Sequence, residues 1–105
     1  MELLIIHLRA EGYLEDLMTA LTAAGIHHAA IVNGTDMRQI LAVDIPIFAG
    51  FKRELGAGSD YCRIVLAELA SEGVRDDLLA VLDRAGIDLR DPEVATTYIV
   101  PCRGI

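Results

Sequence analysis

An α+β domain built from two similar halves is what this sequence predicts, and two observations carry the prediction. The first is a near-repeat. Residues 7–26, HLRAEGYLEDLMTALTAAGI, and residues 68–87, ELASEGVRDDLLAVLDRAGI, agree at nine of twenty positions with a constant offset of 61. Two copies at so long a period make a duplicated domain and not a solenoid. The second is the order of patterns in each copy: a short branched-apolar run, an amphipathic stretch of helical period, then another short apolar run. With 105 residues the chain forms one domain, 1–105, with a single core.

The first element, Leu3 to Leu8, reads as a strand, with Leu3 and Ile5 on one face and Leu4, Ile6 and Leu8 on the other. The Met-Glu-Leu-Leu start lacks the basic region and cleavage site of a signal peptide, so a cytoplasmic location is expected. A helix follows, its apolar stripe formed by Leu14, Leu17, Met18 and Leu21, and the carboxylates Glu15 and Asp16 suit its positive end. Gly25 predicts a left-handed helix ending, with Ile26 folding back onto Leu21. Strand 2 is expected over Ile26–Val32.

The second half repeats these parts. Ile64–Leu69 is strand 3, with Ile64 and Leu66 opposite Val65, Ala67 and Leu69. Val74, Leu78, Val81 and Leu82 mark the second helix, which has Asp76 and Asp77 in its first turn and ends at Gly86 and Ile87. Strand 4 is Ala95–Val100. The β-α-β, connection, β-α-β order with right-handed crossovers predicts a ferredoxin-like βαββαβ sandwich, a four-stranded sheet with two helices on one face. Strands 1 and 3, the most apolar, are expected to be central and parallel; strands 2 and 4, with His27, His28, Thr96 and Thr97, are expected at the edges.

Two helices cover one sheet face only, yet strands 1 and 3 are apolar on both. The uncovered face predicts an obligate homo-oligomer. A net charge of −7 repels phosphate backbones, so no nucleic-acid partner is expected. No run of eighteen apolar residues is present, so no membrane insertion is expected either. Cys62 and Cys102 form no CxxC pair and read as reduced thiols.

The long connection, residues 34–60, sits between strands 2 and 3. Connections of such length inside a domain are usually functional or disordered, and this one is too apolar for disorder. Its Ile40–Ile45 part reads as an extension of strand 2 or a short strand of its own. Its distal stretch, IPIFAGFKREL, holds both phenylalanines of the chain beside two adjacent cations. Pro46, Phe48 and Phe51 are candidates for an apolar partner-binding hook, with Lys52 and Arg53 as electrostatic guides. The alternative is that both phenylalanines fold back onto a core.

The arrangement resembles the PII superfamily of nitrogen regulatory, signal-transduction proteins. The resemblance covers almost the whole chain, through MELLIIHL, LTAAGIHHAAIV, the central insertion, YCRIVLAEL and TTYIVPCRGI. DIPIFAGFKREL is similar to a segment of small PII-like proteins. The resemblance implies a homotrimer, a T-loop formed by the 34–60 insertion, and a ligand site in the cleft between subunits. It does not extend to the nucleotide-binding loop. Where PII proteins carry glycine and lysine, this chain has Asp88-Leu89-Arg90-Asp91-Pro92-Glu93, whose carboxylates repel a polyphosphate. The insertion also lacks the modified tyrosine. ATP and 2-oxoglutarate sensing is therefore not expected, and the cofactor stays unknown.

Arg9, Arg38, Arg90 and Arg103 are the candidate ligand-binding residues, brought together around an anion across a subunit cleft; solvated surface charge is the other reading. His7, His27 and His28 suggest a metal site only if shared between subunits, because adjacent histidines on a strand face opposite ways. No metal site is assigned. No nucleophile–base constellation emerges from spacing, so no catalytic residue and no enzyme is predicted. Two function classes follow. One is a regulatory binding module whose insertion contacts a transporter or an enzyme. The other is a small-ligand or metal-binding trimer without a protein target.

Overall fold

Four strands and three α-helices make up the computed structural model, which describes residues 1–44 and 62–105. In order they are β1 (Glu2–Leu8), a single 3₁₀ turn over Glu11–Tyr13, α1 (Leu14–Ala23), β2 (Ala29–Gly34), α2 (Met37–Asp44), β3 (Cys62–Leu69), α3 (Glu72–Ala85) and β4 (Ala95–Pro101). The strands form one sheet in the order β2-β3-β1-β4, and every neighbouring pair is antiparallel. This α+β arrangement is compatible with a ferredoxin-like sandwich. No helix among the described residues is long and apolar enough to cross a membrane.

β1 and β3 are central, as their composition predicts, but they run antiparallel, with Glu2 opposite Leu69 and Leu8 opposite Arg63. The expectation of parallel central strands is corrected by the connectivity. Strands 1 and 2 are the parallel pair joined by a helical crossover; β3 returns from β2 and inserts between them, so it must run against both.

The core lies between one sheet face and helices α1 and α3. Leu4, Ile6 and Leu8 of β1 and Val65, Ala67 and Leu69 of β3 point into it. They meet Leu17, Ala20 and Leu21 of α1 and Leu78 and Leu82 of α3. Ile6, Leu8, Leu17, Leu69 and Val65 have no more than 2 % of their surface exposed. Each such side chain contributes roughly 1.5–3 kcal/mol. Met18, expected in the apolar stripe of α1, is 43 % exposed. It stands about 100° around the helix from Leu17, and the inward face is completed by Ala20 and Ala24 instead.

Both main helices end as expected. Gly25 and Gly86 take φ of +84° and +74°. The Ile26 N–H donates to the Leu21 carbonyl at 2.8 Å and the Ile87 N–H to the Leu82 carbonyl at 3.0 Å, closing the Schellman pattern twice. The helices begin differently. Ser71 caps α3, its hydroxyl accepting from the Val74 N–H at 3.3 Å, whereas α1 is entered through the 3₁₀ turn with no side-chain cap.

The strands begin or end one to three residues from the expected bounds, β3 for instance starting at Cys62, and the differences that bear on the site lie at β2 and just after it. β2 starts at Ala29, so His27 and His28 precede the strand, are exposed, and line one shallow depression with Leu3, Leu66 and Glu68. β2 also runs on to Gly34. Residues 40–44 are helical, not extended, because Asp36 caps the segment and Met37, Arg38, Gln39 and Leu41 are good helix formers. Pro46, Phe48, Phe51, Lys52 and Arg53 lie outside the described residues.

The second sheet face carries Leu3 and Ile5 of β1, Ile64 and Leu66 of β3, Val32 of β2, and Tyr98 and Val100 of β4. None of these is buried, and Val32, Tyr98 and Val100 are exposed. The apolar face that the alternation predicts is thus present, and none of the described elements covers it.

Candidate functional site

Antiparallel pairing gathers the C-terminal ends of β1 and β2 and the N-terminal ends of β3 and β4 at one end of the sheet. The insertion leaves from this end. His7 projects from β1 on the uncovered face, opposite Ile64 of β3 and Thr96 of β4. Arg9 follows β1 directly. Asp36 lies between β2 and α2 and joins these groups.

The two carboxylate oxygens of Asp36 are used differently. Oδ1 accepts from the Arg38 backbone N–H at 2.9 Å and from Arg38 Nε at 3.2 Å, which caps α2. Oδ2 faces the sheet, 3.6 Å from His7 Nε2 and 3.8 Å from Arg9 Nε. The Asp36 side chain is only 17 % exposed. Burial acts to raise its pKa, but the Arg38 hydrogen bonds and the charges of Arg38 and His7 outweigh burial and hold the carboxyl below its ordinary value.

Arg9 is fixed from three sides. Its Nη1 donates to the Pro92 carbonyl at 3.0 Å, and its Nη2 donates to the Thr96 hydroxyl. Its backbone N–H donates to the Val94 carbonyl at 2.8 Å. Cys62 opens β3 beside this cluster, buried opposite Gly34. A Cβ at position 34 would stand 3.1 Å from Cys62 Sγ, so a small residue there lets the thiol tuck in. Burial first, and then the Asp36 charge, push the thiol pKa up, so Cys62 is a neutral packing group. Among the described residues two side-chain polar atoms are buried without a hydrogen-bond partner: His7 Nε2 and Gln39 Oε1. Buried polar atoms are rarely left so.

Of the four arginines expected to bind a ligand, Arg9 and Arg38 meet at Asp36. Arg90 does not join them; its side chain is 95 % exposed and pairs with Asp88 in its own loop. Arg103 lies at the opposite end of the sheet, past Pro101, which is registered with Glu2. The acidic 88–93 loop spends two carboxylates on its own turns. Asp88 accepts from the Arg90 N–H at 3.0 Å and Asp91 from the Glu93 N–H at 2.9 Å. Among the described residues no group of three or more His, Cys, Asp or Glu is placed to hold a metal ion.

Sequence reasoning had not picked out Asp36, Gln39 or Thr96 as site residues. A signal existed for the first: an Asp directly before Met-Arg-Gln is a helix N-cap pattern. Thr96 carries no signal apart from its register with His7. Chemically the cluster offers two guanidinium groups to one carboxylate beside a histidine, so it can take an anionic or hydrogen-bonding ligand. Among known proteins, no family model matches the chain and no curated protein is found similar to it.

Proposed function

We propose that this chain is a PII-like regulatory binding module, not an enzyme, working in the cytoplasm as a homotrimer of ferredoxin-like domains. In this reading the 34–60 insertion contacts a partner protein, a transporter or an enzyme. A small ligand in the cleft between subunits controls that contact. The observation that carries the reading is the position of the Asp36 cluster. It joins the sheet end, through His7 and Arg9, to α2, through Arg38. A ligand that competes for Arg9 or Arg38 would alter how the insertion is held.

Two further features support it. The apolar sheet face that no described element covers supports burial against another copy of the chain. The surplus of cations over carboxylates at Asp36 favours an anion, while the acidic 88–93 loop disfavours ATP or ADP. Pro46, Phe48, Phe51, Lys52 and Arg53 remain the proposed partner contacts. The second reading, a ligand-binding trimer without a protein target, draws on the unpartnered atoms of His7 and Gln39 at the root of the insertion.

Light scattering coupled to size exclusion tests the assembly: the expected mass is three times 11.4 kDa, and a monodisperse monomer sinks the reading. The partner contact is tested by a Phe48→Ala, Phe51→Ala double variant. An unchanged melting temperature with lost partner capture supports the hook. A collapse of stability assigns both phenylalanines to a core.

A further inference from the structure

We propose that the two edges of the sheet pair with each other between copies of this chain, β2 of one copy with β4 of the next, so that neighbouring sheets join edge to edge in a head-to-tail ring. The inference rests on the reading that the chain assembles with itself, and it names the surfaces that do so. In the order β2-β3-β1-β4 each edge strand has one neighbour among the described residues. An edge left to solvent is normally guarded by charge, proline or a bulge. β2, AAIVNG, holds no charged residue and no proline. β4, ATTYIVP, holds no charged residue, and its one proline stands at the last place. Both edges therefore offer a row of backbone donors and acceptors with nothing to repel a further strand.

Exposure on the helix side of the sheet carries the inference. Ile31 is registered with Val65 and Ile99 with Leu4, so both point to the side on which α1 and α3 lie. Val65 and Leu4 are buried, yet Ile31 and Ile99 are 40 % and 39 % exposed, because the helices shelter the central strands and stop short of the edges. On the other side Val32, Tyr98 and Val100 are exposed as well. Packing open face on open face would bury those three and leave Ile31 and Ile99 wet. Joining β2 to β4 removes both exposures at once, since side chains of paired strands stand beside each other on each face. The lengths match, six residues against seven. The directions match too: β2 and β4 run opposite ways in the sheet, so copies that all point the same way meet as antiparallel pairs. Pairing β2 with β2 would use one edge of each copy and leave β4 open. Pairing β2 with β4 uses both, and the ring closes with no edge left. The same alignment sets the neighbour's 88–93 loop, which lies just before β4, beside the Gly34 end of β2, so two copies wall the Asp36 cluster.

Hydrogen exchange in the assembled full-length protein tests this. Alternate amides of an edge strand point away from its neighbour. In β2 and β4 these outward amides are expected to exchange at least about a hundredfold more slowly than those of an open edge. Assemblies mixed from isotope-labelled and unlabelled chains should show intermolecular contacts from β2 protons to β4 protons. Ile31→Lys and Ile99→Lys each place a charge in the join on the helix side. Each should lower the mass found by light scattering while circular dichroism stays that of the folded chain. An assembly whose outward amides exchange freely, or whose intermolecular contacts run from β2 to β2 alone, overturns the edge pairing and leaves self-assembly standing. So does an assembly whose mass neither lysine changes. A wild-type monomer overturns both.

Discussion

Leu8, Leu17 and Ile26 of the first half and Leu69, Leu78 and Ile87 of the second stand at repeat-equivalent places, 61 residues apart, and all six are buried. The halves are alike inside and unlike outside. Where the first has His7 and Arg9, the second has Glu68 and Ala70, both exposed. Position 2 of the first half and its equivalent, position 63, show how far the likeness goes. Glu2 accepts from Arg75 at the start of α3 at 3.0 Å, and Arg63 pairs with Glu11 at the 3₁₀ turn before α1. Each strand start thus reaches the helix start of the other half, with the charges exchanged. Packing holds both halves to one geometry, because a buried leucine has few substitutes. A partly exposed ion pair works with either sign order, and a residue on the uncovered face is free to become a site.

The strongest test of equal interiors is Leu17→Ala against Leu78→Ala. Each should cost about 2–5 kcal/mol in urea unfolding of the assembled protein. A loss confined to one half would break the comparison and place most of the core there. Gly25→Ala and Gly86→Ala come next, at about 1–2 kcal/mol each for forcing a side chain into the left-handed region. An added Cβ meets nothing within 4 Å at either place, so the cost is the backbone's alone. A change of only a few tenths at one glycine would mean the two endings are not equivalent. The smallest effect is the ion pairs. Double-mutant cycles at Glu2/Arg75 and Glu11/Arg63 should each give about 0.2–1 kcal/mol, because all four side chains are partly exposed. The exchanged pair Glu2→Arg with Arg75→Glu should retain that coupling. Its loss would show that sign order matters after all.

The repeat made the interior readable from the sequence: strand alternation located both sheet faces, and the Ala-Gly-Ile endings located both helix stops. Features set by single contacts were not readable in the same way. QILAV reads as an apolar strand until Asp36 is seen capping it, since one hydrogen-bonded oxygen decides between helix and extension. His27 and His28 fall outside β2 because the glycine turn at Gly25 and the return of Ile26 to the core use up the residues before pairing begins. Arg9 and Arg38 could be named as ligand candidates, but their meeting point could not, because it depends on the register of β1 against its neighbours. Arg90 and Arg103 share their residue type and not their location.

Among the described residues β1 pairs with β3 and β4, with Glu2 registered against Leu69 on one side and Pro101 on the other. Its neighbours therefore emerge from the ribosome long after it does. While they are being made, one of the most apolar strands of the molecule has no sheet to join. Closing loops of that length slows folding, as in other topologies dominated by distant contacts. Until β3 arrives, α1 is the first apolar helix face that β1 can shelter against, and the first half waits for β3 to join its two strands into a sheet.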